Sequence, residues 1–334
     1  MEKVVQTRES LVLEGTGKIK LRYYRVSDGF TLYSVDKTGK PDKVYQENVD
    51  YVLDRQNGYI WRTENSTIPD YATHGGFGKG MFTLQDFGGK YENGDFMVYA
   101  DYTALLKGEK TTQQYANIFA RKRGDYRKLS NSIQAGEEIE ILIFGDSISC
   151  GGEAQDPANI YYNRLAAYLE KTYGCKVTLT NKSKAGYNTE EVREHFEEYV
   201  KGDTTDFLIL AFGMNDQNVF SGENPVTPEI YGNNLRYYLE NVTCRKSAIL
   251  LSPCKPNPFW NHSSKRLQEY VFALEQLAEE YGLPFANVTE LWQSELDCGK
   301  RPRDLLNNNV NHPTDYGHYV YFTAFQALFS GEEV

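Results

Sequence analysis

Ile139-Glu140-Ile141-Leu142-Ile143-Phe144, followed directly by Gly145-Asp146-Ser147-Ile148-Ser149, decides the architecture of this chain. A strand with one wet face alternates polar and apolar residues, whereas a run that is apolar on both faces belongs in a sheet covered on both sides. Beyond it the spacing turns helical, with Leu165, Leu169 and Tyr173 recurring across 161–173. That strand-then-helix grammar repeats. Strands are predicted at 176–180, 207–212, 247–251 and 284–288, and helices at about 189–201, 228–241, 263–282 and 315–330. Continuous apolar strands alternating with amphipathic helices predict an α/β fold in three layers with a parallel sheet in the middle, because right-handed crossovers place helices on both faces. In such open sheets ligands bind at the carboxyl ends of the strands.

Upstream, from about residue 10 to 105, short β-type runs are separated by turn signals. Residues 18–24, 30–35, 51–53, 59–61, 80–84 and 95–102 read as strands, and Asn57-Gly58 between two apolar runs is a hairpin signal. Seven or eight such strands predict an antiparallel sandwich or jelly roll. With 334 residues the chain has room for two domains at about 100–200 residues each. The expected division is 1–130 for an all-β accessory domain and 131–334 for the α/β domain, with the boundary inside 106–137.

Composition narrows the partners. A net charge of −10 and a pI near 5.2 argue against nucleic acid, which needs clustered Lys and Arg. The one basic run, Arg121-Lys122-Arg123 with Arg127 and Lys128, is interrupted by Gly124 and Asp125 and reads as a solvated linker. Apolar runs stay far below the roughly 18 residues that cross a bilayer, so no membrane partner is expected. Five cysteines, at 150, 175, 244, 254 and 298, form no CxxC pair and are odd in number, which indicates neither a disulfide framework nor a zinc cluster. No metal or cofactor is expected. The first eight residues lack the apolar core of a secretory signal, so a cytoplasmic location is expected, or a secreted one if a signal was removed. Gly75-Gly76-Phe77-Gly78-Lys79-Gly80 lacks the Ser or Thr that follows Lys in a phosphate loop and reads as a turn. The 17 Phe and 26 Tyr suit sheets and also sugar stacking.

Four segments lie at predicted strand ends or before the closing helix: Gly145-Asp146-Ser147, the loop ending in Ala185-Gly186-Tyr187-Asn188, Gly213-Met214-Asn215-Asp216, and Asn311-His312-Pro313-Thr314. A serine hydroxyl needs a base to take its proton, and His312 is suited to that at neutral pH. Gly186 allows close backbone approach, and Asn215 offers a side-chain amide, so both can donate hydrogen bonds to a developing oxyanion.

Together the four segments resemble the SGNH (GDSL-type) hydrolase superfamily, whose blocks supply serine, glycine, asparagine and histidine in this chain order. The resemblance covers about residues 138–330. It implies a flavodoxin-like sheet, a nucleophile Ser147, a base His312, and oxyanion donors Ser147 N–H, Gly186 N–H and Asn215 Nδ2. At the level of architecture the chain is similar to two-domain carbohydrate esterases, which implies removal of O-acetyl groups from oligo- or polysaccharides. Alternatives are a lipase or thioesterase on the same scaffold, and a carbohydrate-binding protein without turnover. The family's aspartate three residues before the histidine is here Asn309. In a serine protease an Asn for that Asp costs roughly 10⁴ in turnover, so either Asn309 presents its carbonyl oxygen or Asp304, Asp315 or a backbone carbonyl orients His312. A Ser-His dyad with a neutral acceptor is the expectation. Trp260, just past the fourth strand, is expected to bind sugar or to pack its loop, and Trp61 is a second stacking candidate; His318, His74, His195 and His262 are expected to be structural or on the surface.

Overall fold

The long strand β1 (Glu2–Val12) pairs with β7 (Met97–Leu106) and seats the first half of the molecule. Between them in sequence come β2 (Ile19–Lys20), β3 (Thr31–Val35), β4 (Pro41–Tyr45), β5 (Tyr51–Asp54) and β6 (Tyr59–Arg62). They form two antiparallel sheets, ordered β1-β7-β3-β4 and β2-β6-β5. The sheets share one apolar core, in which Leu11, Leu32, Val98 and Tyr102 meet Ile19, Leu53 and Ile60. The hairpin signal holds: Gly58, at φ +67°, closes the turn with its N–H on Asp54 O, 2.8 Å away. Two predicted runs shrink. Residues 18–24 yield only β2, and around Phe82 there is no strand but a bridge to Trp260 in the second half. Strands β1 and β4 were not anticipated; β4 is an exposed edge carrying Pro41 and Lys43, residues that blunt an edge rather than announce a strand.

The structure is a computed structural model and describes residues 1–88, 90–121, 131–200, 202–203, 205–242 and 247–329. Most of the basic run at 121–128, and Cys244, lie outside the described residues.

The second half contains β8 (Glu138–Gly145), β9 (Lys176–Asn181), β10 (Phe207–Ala211), β11 (Ser247–Leu251) and β12 (Phe285–Ala286), all parallel and ordered β12-β11-β10-β8-β9. Both residue sets of these strands are apolar, as the sequence demanded. Ile139, Ile141, Ile143, Ile209 and Leu251 face helices α1 (Thr112–Phe119), α2 (Tyr161–Tyr173), α7 (Val288–Asp297) and α9 (Asp315–Phe329). Leu142, Phe144, Leu208, Leu210 and Leu250 face α3 (Thr189–Glu194), α4 (Phe196–Tyr199), α5 (Pro228–Val242) and α6 (Leu267–Glu280). The predicted helix at 189–201 is broken at His195 into α3 and α4, and α7 and the short α8 (Pro302–Leu305) were not anticipated. Helix α1 packs Tyr115, Ala116 and Phe119 into the second core, so residues within the 1–130 segment already belong to it. The strand order reverses between β8 and β10, which opens a crevice at their carboxyl ends.

The two halves are joined by buried ion pairs. Lys300 Nζ lies 2.8 Å from Glu9 Oε1 with both side chains fully buried, and Arg22 Nε lies 2.9 Å from Glu295 Oε1. Each carboxylate is shared further: Tyr102 donates to Glu9, while Tyr316 and Thr112 donate to Glu295. A bulge in β1 puts Arg8 at φ +54° and turns its guanidinium onto Asp315, the first residue of α9. Val12 N–H donates to Asp304 Oδ1; burial works to raise the Asp304 carboxyl, but Arg301 beside it holds it down at about 2. Removing one member of a buried pair leaves an uncompensated charge, at about 3–5 kcal/mol. Lys300→Met is therefore expected to lower unfolding stability by about that amount, with calorimetry still showing both halves melting together, and Glu9→Gln in the same chain is expected to recover much of the loss.

Candidate functional site

Ser147 sits where β8 ends, 7% exposed. The turn needs the glycine before it, because a Cβ on Gly145 would come within 2.5 Å of Ala211 O and 2.7 Å of Ser149 Oγ. No helix follows directly. Instead the chain makes a tight turn, with Cys150 N–H on Asp146 O, Gly152 N–H on Ser147 O, and the Asp146 carboxylate accepting from Ile148 N–H. The loops after β9 and β10 are tied to it. Lys184 N–H donates to Gly145 O at 2.9 Å, Asn181 Nδ2 to Ser149 O at 2.7 Å, and Asn215 Nδ2 to Tyr187 O at 2.9 Å. Gly186 is exposed at φ +81° with open space where a Cβ would be, a backbone conformation that favours glycine.

The histidine arrives on a loop built from asparagines. Asn308 Oδ1 accepts from the backbone N–H groups of Val310, Asn311 and His312, at 2.8–2.9 Å. Asn307 N–H donates to His312 O at 2.8 Å, closing the base of the loop. This frame sets His312 Nε2 2.8 Å from Ser147 Oγ. Gly152 lies flat against the imidazole, since a Cβ there would stand 3.1 Å from His312 Nδ1.

Asn309 does not orient His312. It occupies the left-handed region at φ +58°, which Asn tolerates better than most residues, and its side-chain oxygen and backbone carbonyl accept from Asn257 Nδ2. Nor do the other two acids serve. Asp304 is committed to Val12 and Arg301, and Asp315 to Arg8, Gln155 N–H and Asn159. The acid that the sequence did not single out is Glu153, whose Oε1 lies 3.4 Å from His312 Nδ1. Its signal was a lone carboxylate in Gly151-Gly152-Glu153, six residues past Ser147.

Of the two expectations for Trp260, it packs its loop and is not a sugar platform. It is 5% exposed and packs with Phe82, Phe87 and Val310, clamping the 82–87 segment of the first half onto the second. Backbone bonds from Phe82 N–H to Phe259 O and from Asn261 N–H to Phe82 O complete that clamp. The exposed aromatics nearby are Phe259 at 53% and Phe220 at 51%. Lys18 covers the face of Trp61. His318 is fully buried against Tyr161 and Tyr321, and burial pushes its pKa down to about 3; His74 is buried and stacked on Tyr71. A cavity of about 790 Å³ lies between α5 and α6 around Arg236 and Phe272, away from Ser147.

Two buried acids, Asp146 and Asp216, adjoin Ser147 and Asn215 in the chain. Burial raises Asp146 to about 7 and Asp216 to about 6, although Thr189 donates to Asp216 through both its N–H and its hydroxyl.

A hydroxyl held against an imidazole at the switch point of a doubly wound parallel sheet is the arrangement of a carboxylic ester hydrolase. The chain belongs to the GDSL-like lipase/acylhydrolase family, whose model matches residues 143–320. No curated protein matches it. Among solved structures the fold is similar to Axe2, an acetylxylan esterase from Geobacillus stearothermophilus, at 22% identity and a TM-score of 0.51 over 60% of this chain and 97% of that one. It is also similar to LAE5, an α/β hydrolase enzyme from the metagenome of Lake Arreo in Spain, at 21% identity and a TM-score of 0.50, covering 60% of this chain and 100% of that one. A two-domain esterase, CEX, active on acetylated mannans, matches at 20% identity and a TM-score of 0.50, over 64% of this chain and 56% of that one.

The raised acids set a pH dependence. A carboxyl whose folded pKa exceeds its unfolded value binds more protons when folded, so its contribution to stability is full below the ordinary value of 3.8, shrinks as pH rises above it, and is gone above the folded values of about 6 and about 7. Asp146→Asn keeps an acceptor for Ile148 N–H and removes the charge. It is expected to raise the melting temperature at pH 8 and to leave it nearly unchanged at pH 4. Gly152→Ala is expected to push His312 off Ser147 and cut kcat at least tenfold with little change in melting temperature, read by paired kinetics and thermal unfolding.

Proposed function

We propose that this chain is a serine esterase that removes small acyl groups, acetyl foremost, from carbohydrate hydroxyls through an acyl-enzyme. The observation that carries the proposal is the 2.8 Å contact between His312 Nε2 and Ser147 Oγ at the switch point. In the first half-reaction Ser147 Oγ attacks the acyl carbonyl and its proton passes to His312 Nε2. The oxyanion draws on Ser147 N–H, Gly186 N–H and Asn215 Nδ2, whose second hydrogen is left over from the bond to Tyr187 O. As the tetrahedral centre collapses, His312 returns the proton to the departing sugar oxygen, leaving an acyl group on Ser147. Water, deprotonated by His312, then attacks that ester; the carboxylic acid leaves and the serine regains its proton.

Carbohydrate as the substrate is supported by the names of the similar structures, which include an acetylxylan esterase and an esterase active on acetylated mannans. The exposed Phe220 and Phe259 offer faces on which sugar rings stack. The first half, clamped at Trp260, would form one wall of the cleft.

The test is a chain-length series of aryl esters together with acetate release from acetylated xylan and mannan oligomers. Acetate esters are expected to be preferred, and Ser147→Ala to lose at least about 10³ in kcat. Equal hydrolysis by Ser147→Ala would remove the nucleophile. Preference for long acyl chains would favour a lipase, and a wild type inert on every ester but binding the glycans would favour a binding protein.

A further inference from the structure

We propose that Glu153 replaces the missing aspartate: a carboxylate from the turn after the nucleophile, held against Nδ1 of His312, fixes the imidazole in the tautomer that the reaction requires. This rests on the esterase reading above. An imidazole that takes the serine proton at Nε2 must carry its own proton on Nδ1, and that N–H needs an acceptor. Asn309, Asp304 and Asp315 are all engaged elsewhere. Glu153 Oε1 stands 3.4 Å from Nδ1, with the Glu153 and His312 side chains 24% and 18% exposed. Glu153 Oε2 and His312 Nδ1 are both buried without a hydrogen-bond partner among the described residues. The separation exceeds the about 2.7–2.9 Å of a charge-assisted bond. A small rotation of the glutamate closes it, as such contacts tighten when charge develops on the imidazole.

The backbone points the same way. Glu153 is held at φ +60°, a region sparsely populated by residues other than glycine. Asn307 keeps it there: its Nδ2 donates to Glu153 O at 2.7 Å while its N–H donates to His312 O at 2.8 Å. One asparagine therefore fixes both partners of the pair. Other ionisable groups also face this pair. Glu92 and Tyr91 come from the first half, and Asp146 and His318 from the second; burial first and then Glu153 push the Glu92 carboxyl up. Glu153 meets the imidazole at Nδ1, while Ser147 meets it at Nε2, so Glu153 is a positioning residue that acts through His312 rather than on the ester.

The experiment compares Glu153→Gln and Glu153→Gly with wild type and Ser147→Ala on an aryl acetate, alongside melting temperatures and nitrogen NMR of the His312 ring. Glu153→Gln is expected to lose about 10²- to 10⁴-fold in kcat with little change in KM. Its NMR signals are expected to move from a single Nδ1–H form to a mixture. Glu153→Gly relieves the positive φ, so its melting temperature is expected to hold or rise while kcat falls, which a merely structural role would not produce. Retention of wild-type kcat and of the wild-type tautomer in both glutamate variants would overturn the proposal. Ser147→Ala separates the two claims: if it is inactive while the Glu153 variants run at the wild-type rate, the nucleophile stands and Glu153 does not.

Discussion

The buried pairing of Glu9 with Lys300 and of Arg22 with Glu295 is the constraint on which the rest of the molecule depends. Charges taken out of water are tolerated only when their partners and hydrogen bonds are in place. Here the partners come from opposite halves of the chain, so neither half can keep its charged residues compensated alone. The segment they anchor, from Glu295 through Asp304 to Asp315, is the one that carries the His312 loop. Asn93, from the loop before β7, reaches the same segment, donating its N–H to Asn307 O and its Nδ2 to Leu306 O. The all-β half thus braces the loop that presents the histidine.

The site is assembled from loops, yet it is held by short bonds between them rather than by any one element. Lys184 N–H on Gly145 O, Asn215 on Tyr187 O, and Asn307 on both Glu153 O and His312 O link the loops in one circuit. Such preorganisation matters because a catalytic hydroxyl and imidazole misplaced by about 1 Å can lose about 10² in rate. Three consecutive asparagines do this work separately: Asn307 bridges Glu153 and His312, Asn308 caps three amides, and Asn309 supplies the left-handed turn and meets Asn257.

The parallel sheet was legible because its strands are apolar on both faces; the position of Ser147 followed from the rule that sites lie at strand ends, and His312 from its place before Pro313 in the loop ahead of the closing helix. What stayed hidden was set by contacts between residues distant in sequence. The mostly polar β1 becomes a strand because β7 and the ion pairs hold it. Trp260 could not be told from a sugar platform until Phe82 and Phe87 were seen against it. Asn309 stands where the family keeps an acid, and only its φ and its bond to Asn257 reveal a turn residue. Glu153 went unnoticed because 159 positions separate it from His312, and no spacing rule links a residue just past Ser147 to that histidine.

The most direct measurement of the central claim is mass spectrometry of the enzyme quenched during turnover of an aryl acetate. The Ser147–His312 pair predicts one acetyl group on the peptide containing Ser147, absent when the quench follows substrate exhaustion. Turnover with Ser147 unmodified and the acetyl group on another residue, or on none at any quench time, would contradict it.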